Sequence, residues 1–372
     1  MADLAYGTAY RATLDGLRAL AVLSVVLFHA ELLPWGWVGV PLFFTLSGHF
    51  ITLTLLKDPG AGRAHRAGSF ARNRALRLAP LYVTFCAVLT VLAAVDYGDG
   101  SLARNLPYFW TWSFDLSTMA HDFTPTSLQL YTHLWSLCVE VQIYVLWAVA
   151  AIWLPRRWFV RTVVALALAG PLLRVALWIF LTRTGYPAEL RPTALYTSPA
   201  TYVDAFALGA LTALPELRRR LRAPARWVPA VFAAVTAATV LRELAEGHGF
   251  LDDLGYPILL ADHHGWIWKY TVLGLFFAAV VLVLADRGEG GVRLLGRAPL
   301  VRVGVISYGV YVLHLPLLGQ IQRWQPSSGT GWSRSGLLAA TVLLAGSVLA
   351  AEVSYRFLER PFLRRKRDAL LR

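Results

Sequence analysis

The sequence predicts an all-α polytopic membrane protein with about ten transmembrane helices and both termini in the cytoplasm. Hydrophobic residues make up 57% of its 372 residues and charged residues only 15%, whereas about a quarter of the residues in soluble domains are charged. The hydrophobic residues form long runs, and the basic residues gather in the gaps between them. The two cysteines lie inside hydrophobic runs and indicate neither a disulfide framework nor a metal site.

The hydrophobic runs give the helices in order. A membrane-spanning helix needs about 20 mostly apolar residues, and the sixth and seventh runs are short by this measure. The ten predicted helices are 17–34, 38–56, 79–95, 131–153, 158–181, 199–214, 226–242, 268–285, 300–319 and 336–357. We expect one transmembrane domain over 1–372, with no separate soluble domain.

Lysine and arginine are concentrated in every second gap, as in "RRRLRAPAR" (218–226) and "RPFLRRKR" (360–367). Cytoplasmic loops carry this excess, so the pattern predicts that both termini face the cytoplasm. The formal charge of +13 is therefore explained by membrane topology, and we expect no nucleic-acid partner. We expect the protein in the bacterial cytoplasmic membrane.

Ionisable residues inside transmembrane helices are costly and are candidates for function. Four of these residues, His29, Glu140, Asp204 and His314, lie on four different helices at similar depths in the outer half of the predicted bundle. Their positions predict a polar cavity there. The candidates inside the predicted helices are His29, His49, Glu140, Asp204 and His314.

The stretch "LDGLRALAVLSVVLFHA" (14–30) places Arg18 and His29 on one helix face, because eleven residues are three turns plus about 20°. The two lie about 16 Å apart along the axis. Arg11 would share this face if the helix reached back that far, but we expect Asp15 to be its N-cap. A buried neutral imidazole suits a general base, which Glu140 would support; a structural histidine is the alternative.

Arg74 and Arg77, in "RNRALRLAP" (72–80), form an i,i+3 pair on one helix face. Such a pair binds phosphate groups well, although alone it also fits a positive-inside anchor. Together with Arg18 it favours an anionic cytoplasmic ligand whose reactive end reaches inward. Acyl-coenzyme A has this shape.

Three further stretches contain polar residues. Ser47 and Gly48 interrupt an apolar helix, where small residues usually permit close helix packing. The stretch "ISYGVYVLHLPLL" (306–318) holds Tyr308, Tyr311 and His314, with Pro316 predicting a kink. "ADHHGW" (261–266) lacks a second ligand pair, so we expect a solvated loop and no metal.

Taken together, these stretches resemble the acyltransferase 3 family of integral membrane O-acyltransferases. They cover the chain from Arg11 to Phe362 in the family's order, and the ordered set is specific where each motif alone is weak. The matching segments are "RATLDGLRALAVLSVVLFHA", "GVPLFFTLSGHFI", "RNRALRLAPLY", "HLWSLCVEVQIYVLW", "YVDAFALGAL", "ISYGVYVLHLPLL" and "SYRFLERPF".

The resemblance implies a ten-helix core that uses acyl-CoA as co-substrate, with no tightly bound cofactor. It implies that Arg18 and His29 are central to activity and that Arg74 and Arg77 hold the donor. Glu140, Tyr308, Tyr311 and His314 fall on further family motifs. Two positions depart from the pattern: Val141 replaces a usual second acidic residue, and His49 replaces a usual aromatic one.

The predicted function is transfer of a short acyl group, such as acetyl, from cytoplasmic acyl-CoA to a sugar hydroxyl. The acceptor partner would be a cell-surface glycan or a glycosylated natural product such as a macrolide that enters from the external side, with a cytoplasmic small molecule as the alternative. The lipid bilayer surrounds the protein as a further partner. His29 and Glu140 are the predicted catalytic residues. Arg11, Arg18, Arg74 and Arg77 would bind the donor. The acceptor pocket or its support would comprise Ser47, His49, Asp204, Tyr308, Tyr311 and His314.

Two rival functions start from the same residues. A transporter would use the buried His, Glu and Asp groups as a proton relay, but it predicts an inverted repeat that the sequence does not show. A non-catalytic scaffold would leave the alignment of polar groups across the membrane unexplained.

Overall fold

The computed structural model describes residues 8–95, 100–120, 130–247, 254, 256–260, 264–287, 294–324 and 332–368. All regular structure in these ranges is helical, which confirms the predicted all-α class. The α-helices are α1 (Thr8–His29), α2 (Gly39–Leu55), α3 (Arg63–Ala94), α4 (Ser101–Trp110), α5 (Phe114–Ala120), α6 (Leu134–Trp153), α7 (Arg156–Arg183), α8 (Arg191–Thr197), α9 (Pro199–Leu211), α10 (Pro215–Ala225), α11 (Val228–Ala245), α12 (Gly265–Arg287), α13 (Ala298–Val305), α14 (Ser307–Trp324), α15 (Arg334–Ser354) and α16 (Arg360–Asp368).

Each of the ten predicted segments corresponds to a helix, but fewer than ten are long enough to cross a bilayer alone. Among the described residues, eight helices are long and apolar enough, and α13 with α14 makes a ninth if the bent pair counts as one. The chain is therefore a multi-pass membrane protein. The side of the membrane on which each terminus lies stays a prediction.

The predicted sixth helix, 199–214, is the one that falls short. Helix α9 has 13 residues, or about 20 Å of length, against a hydrocarbon core of about 30 Å. It starts at Pro199, where the Ser198 side chain accepts a hydrogen bond from the amide of Ala200 at 3.2 Å. Because α9 packs against α2, α7 and α12, its backbone is enclosed by protein and need not span the lipid.

Two glycines allow the backbones of α2 and α9 to come into direct contact. A Cβ atom on Gly48 would lie 1.9 Å from the carbonyl oxygen of Phe206, and one on Gly209 would lie 1.9 Å from that of Thr45. Any larger side chain at either position would force the helices apart. The predicted role of Gly48 in close helix packing is thus confirmed.

Helix α1 is displaced from its predicted limits. It begins at Thr8, so Asp15 is not an N-cap but lies within the helix, 3.4 Å from the guanidinium of Arg18. The helix ends at His29 instead of continuing to residue 34, and Glu31 turns the chain with a φ of 57°. His29 therefore occupies the last position of α1.

Helix α3 likewise starts earlier than predicted, at Arg63, so Arg74 and Arg77 lie in its interior. The predicted ninth helix is broken instead of kinked at Pro316: α13 and α14 meet at Ile306 with an angle of 74°. After α15, a π-helix over Tyr355–Glu359 turns the Glu359 side chain into the protein, where it is fully buried.

Candidate active site

A cavity of about 730 Å³ lies among α1, α2, α3, α6 and α14. We call it the basic cavity, because three arginines line it. Its lining residues are Arg18, Val40, Phe43, Phe44, Ser47, Arg74, Arg77, Leu78, Ser136, Leu137, Glu140, Tyr144, Ser307, Tyr308 and Tyr311. The sequence analysis assigned seven of them (Arg18, Ser47, Arg74, Arg77, Glu140, Tyr308 and Tyr311) to a site, and all seven line this cavity.

Glu140 is the acidic group of the basic cavity. One of its carboxylate oxygens accepts hydrogen bonds from the hydroxyls of Ser47 and Tyr144. Tyr144 is one turn further along α6, so helical geometry alone places its hydroxyl beside the carboxylate. The Arg74 guanidinium lies 5.9 Å from the centre of the Tyr144 ring. Its positive charge is balanced in part by the Glu140 carboxylate.

The three arginines are held to different degrees. Arg77 donates to the carbonyl of Val305 at 2.9 Å and lies 3.6 Å from the carboxylate of Glu359. Arg18 pairs with Asp15 and stacks over Phe50, 4.5 Å from the ring centre. The Nε of Arg74 is buried and has no hydrogen-bond partner among the described residues. A buried donor without a partner is costly, which distinguishes Arg74 from the other two arginines.

A second cavity, of about 430 Å³, lies toward the end of α1. We call it the histidine cavity. It is lined mostly by aromatic and apolar side chains, with two imidazoles. The lining residues are Val25, Phe28, His29, Trp37, Val40, Thr132, His133, Trp135, Tyr196, Ile258 and Tyr311.

The hydrogen bonds of His29 assign its free nitrogen. Its Nδ1 lies 2.9 Å from the Val25 carbonyl and 3.2 Å from Nε2 of His314. His314 in turn has Nδ1 2.6 Å from the Tyr311 carbonyl, so its Nδ1 carries the proton and its Nε2 accepts. His29 therefore carries its proton on Nδ1, which leaves the lone pair of Nε2 as its basic position.

The end of α1 lies beside this ring. The carboxyl end of a helix carries partial negative charge from its unpaired carbonyls, and His29 is the last residue of α1. These carbonyls would offset part of the cost of forming an imidazolium at this buried position when Nε2 takes a proton. The arrangement suits a general base.

His133 and Tyr311 complete this region. His133 has Nε2 3.0 Å from the Val312 carbonyl, and its Nδ1 is buried with no partner among the described residues. The Tyr311 hydroxyl lies 2.6 Å from the Ser136 hydroxyl and 3.1 Å from the His133 carbonyl. The His133 and His314 ring centres are 5.1 Å apart, so three imidazoles cluster beside the cavity.

The structure separates some residues that the sequence had grouped. Glu140 lines the basic cavity with Ser47 and Tyr144, whereas the His29 ring contacts His314 in and beside the histidine cavity. Glu140 therefore lies with the three arginines of the basic cavity, and the side chain in contact with the His29 ring is His314.

Two other candidates lie outside both cavities. Asp204 is fully buried in an ion pair with Arg174, 3.0 Å away, and also accepts from Thr271 at 2.5 Å. His49 is buried with Nδ1 2.7 Å from the Thr212 hydroxyl. The side chain of Arg11 lies outside the described residues, although its backbone belongs to α1.

Metal ligands are not grouped in the part of the chain that the structure describes: no three His, Cys, Asp or Glu side chains there could hold an ion. Asp262 and His263 of the "ADHHGW" stretch lie outside the described residues.

Comparison with known proteins identifies the family. The profile of acyltransferase 3, an acyltransferase domain, matches residues 11–355. The chain belongs to this family. No solved structure gives a significant match.

The curated relatives of this acyltransferase 3 chain are distant and longer. The O-acetyltransferase OatA of Staphylococcus aureus is 24% identical over 372 aligned residues, which cover 96% of this chain and 58% of the relative. The peptidoglycan O-acetyltransferase OatA of Listeria monocytogenes is 24% identical, with 96% and 56% covered. This acyltransferase 3 chain thus spans little more than half the length of these relatives.

Sequence reasoning did not assign several residues that the structure brings to the site. Tyr144 could have been found, because it is at i+4 from Glu140 on the same helix. Arg174 lies inside a predicted helix and should have stood among the ionisable candidates. The contacts of Ser136 with Tyr311 and of Glu359 with Arg77 join residues far apart in the sequence, and no local pattern reveals them.

Proposed function

We propose that this acyltransferase 3 chain transfers a short acyl group, acetyl or similar, from acyl-CoA to a hydroxyl of a carbohydrate. The observation that carries the proposal is the position of Arg18 and His29 on one helix, about 16 Å apart, in two adjoining cavities. The first is basic, and the second contains an imidazole with an open Nε2 lone pair. The names of the relatives, O-acetyltransferases, support the same reaction class.

The basic cavity would bind the donor. Arg74 and Arg77 face it from α3 and Arg18 from α1, and guanidinium groups bind phosphate oxygens with two parallel hydrogen bonds. The pantetheine arm would extend from these arginines past Glu140 toward His29.

The histidine cavity would bind the acceptor. Trp37, Trp135 and Tyr196 give it flat apolar walls, and His29 and His133 provide polar groups. Binding sites for small molecules commonly combine such walls with a few placed polar groups. A sugar ring, with apolar C–H faces and polar edges, fits this chemistry. A cell-surface glycan or a glycosylated natural product such as a macrolide would present the hydroxyl.

In the direct route His29 acts as a general base. Its Nε2 takes the proton of the acceptor hydroxyl while the oxygen attacks the thioester carbonyl carbon. The new C–O bond forms, the C–S bond breaks, and the leaving thiolate takes the proton from the imidazolium to give free CoA and the ester. Base catalysis of this kind contributes about 10² to 10⁴ in rate.

In the alternative route, Nε2 attacks the thioester itself and forms an acyl-imidazole before the acceptor arrives. The two routes differ in whether acyl-enzyme accumulates without acceptor. Mass spectrometry of the peptide that contains His29, after quenching with labelled acetyl-CoA alone, distinguishes them.

The proposal is tested with purified protein, labelled acetyl-CoA and a panel of oligosaccharides. We expect label in a sugar ester, and loss of that transfer by at least 10²-fold in His29→Ala. His65→Ala is the matched control, because His65 is exposed on α3 and lines neither cavity. Full activity in His29→Ala would exclude the catalytic role of this residue, and failure of the wild type to consume acyl-CoA would overturn the proposed function.

A further inference from the structure

The basic cavity and the histidine cavity meet at two side chains. Val40 on α2 and Tyr311 on α14 line both of them, so each of these side chains presents atoms to both spaces. Both are largely buried, with 6% of their surface exposed. They therefore lie at the boundary between the arginines on one side and His29 on the other.

Each of the two helices that carry these side chains lines one cavity with its early residues and the other cavity with its later residues. The change occurs at the same level of the bundle. On α14, Ser307 and Tyr308 line only the basic cavity, and Tyr311, one turn later, reaches both. Just before α2, Trp37 lines only the histidine cavity, while Ser47 further along lines only the basic one.

Helices α1 and α6 show the same change. On α1, Arg18 lines the basic cavity, and Val25 and His29 line the histidine cavity. At the start of α6, His133 and Trp135 line the histidine cavity, and Leu137 further along lines the basic cavity. The boundary therefore lies at a common level of the bundle.

The ring of Tyr311 is fixed in this position. Its hydroxyl is 2.6 Å from that of Ser136 and 3.1 Å from the His133 carbonyl, both on or at the start of α6. The Phe43 ring packs against the Tyr311 ring in a T-shaped arrangement, with ring centres 6.4 Å apart. Two hydrogen bonds and a ring contact oppose any swing of the ring out of the passage.

We propose that Val40 and Tyr311 form a constriction that limits the length of the acyl group the protein transfers. The inference rests on the proposed function and deepens it. The acyl group is the leading end of the donor when its phosphates stay at the arginines. Once the carbonyl reaches His29, every further acyl carbon must find room beside Val40 and Tyr311 on the histidine side of the boundary. Acetyl needs the least room, and each added methylene is pressed closer to these two side chains.

The test measures kcat/KM for acetyl-, propionyl-, butyryl- and hexanoyl-CoA in wild type and two variants of opposite effect. Val40→Ala removes two methyl groups and should raise the butyryl-to-acetyl ratio about tenfold, since one methylene in an apolar site discriminates by about 10- to 200-fold. Val40→Leu should lower the ratio of kcat/KM for propionyl-CoA to kcat/KM for acetyl-CoA, also by about tenfold. Val281→Ala is the control, because Val281 is a fully buried valine on α12 that lines neither cavity.

Tyr311→Phe gives an independent reading. It keeps the ring but removes the hydroxyl that fixes it, so the ratio of kcat/KM for butyryl-CoA to kcat/KM for acetyl-CoA should rise, even where the rate with acetyl-CoA falls. If the wild type turns over acetyl-CoA and the chain-length ratios are the same in all three variants, the constriction is overturned and the proposed function stands. If the wild type consumes none of the donors, the proposed function fails first.

Discussion

Nε2 of His314 lies 3.2 Å from Nδ1 of His29, across 285 residues of sequence. His314 is fully buried, and its own Nδ1 is fixed by the Tyr311 carbonyl at 2.6 Å. The tautomer of His314 that satisfies both contacts makes its Nε2 an acceptor toward His29. Together with the Val25 carbonyl, the second imidazole thereby holds the proton of the first on Nδ1, a function that a carboxylate serves in many catalytic triads.

His314→Leu should therefore impair the chemistry more than donor binding. Without the acceptor at Nδ1, His29 is held by the Val25 carbonyl alone, and its Nε2 loses a fixed direction. We expect kcat to fall about 10- to 100-fold, within the range that base catalysis contributes, with KM for acyl-CoA unchanged. His314→Gln, whose side-chain oxygen can accept the same hydrogen bond, should recover part of kcat. Equal losses in both variants, with KM raised, would indicate a structural role instead.

The donor site is tested at α3. Arg74→Ala combined with Arg77→Ala removes two guanidinium groups from the basic cavity, and each hydrogen bond to a charged group contributes about 1.5–3 kcal/mol. We expect the Kd for CoA to rise by at least 10²-fold, measured by calorimetry in detergent. Arg72→Ala is the matched control, since Arg72 is exposed on the same helix. An unchanged Kd in the double variant would mean that these arginines only anchor the topology.

The buried pair of Arg174 and Asp204 predicts a stability effect. Both side chains are fully buried, and removal of one partner leaves an uncompensated charge that costs about 3–5 kcal/mol. Asp204→Ala should lower the thermal unfolding temperature markedly, and adding Arg174→Leu should restore part of the loss. A stable Asp204→Ala protein with a raised acceptor KM would instead support the predicted acceptor role of Asp204.

Asp115, in the short helix α5, predicts a pH dependence. Burial raises the pKa of its carboxyl from 3.8 to about 6, although Gln142 donates to Oδ1 at 2.8 Å. The folded state binds this proton more tightly than the unfolded state, so stability falls as pH rises from about 4 to about 6 and stays lower above it. Asp115→Asn should then be more stable than wild type by about 2–3 kcal/mol at pH 7 and equal to it near pH 4. Thermal unfolding across that interval measures the difference, and a constant difference at every pH would contradict the prediction.

The alignment of Arg18 with His29 could be predicted because both lie on one regular helix, whose geometry follows from residue spacing. The length of α9 could not be predicted, because a hydropathy pattern does not reveal whether lipid or protein surrounds a helix. The contacts of His29 with His314 and of Arg174 with Asp204 depend on how distant helices pack. For the same reason the sequence joined Glu140 to His29, two groups at similar depth that the structure places with different partners.

The boundary at Val40 and Tyr311 also bears on loss of the donor to hydrolysis. Both side chains line both cavities, so an acyl-CoA whose carbonyl has reached His29 would itself fill the passage between them. Water could then reach the thioester only from the acceptor side, and a bound acceptor would exclude it. The protein would thus spend acyl-CoA on the acceptor and not on water.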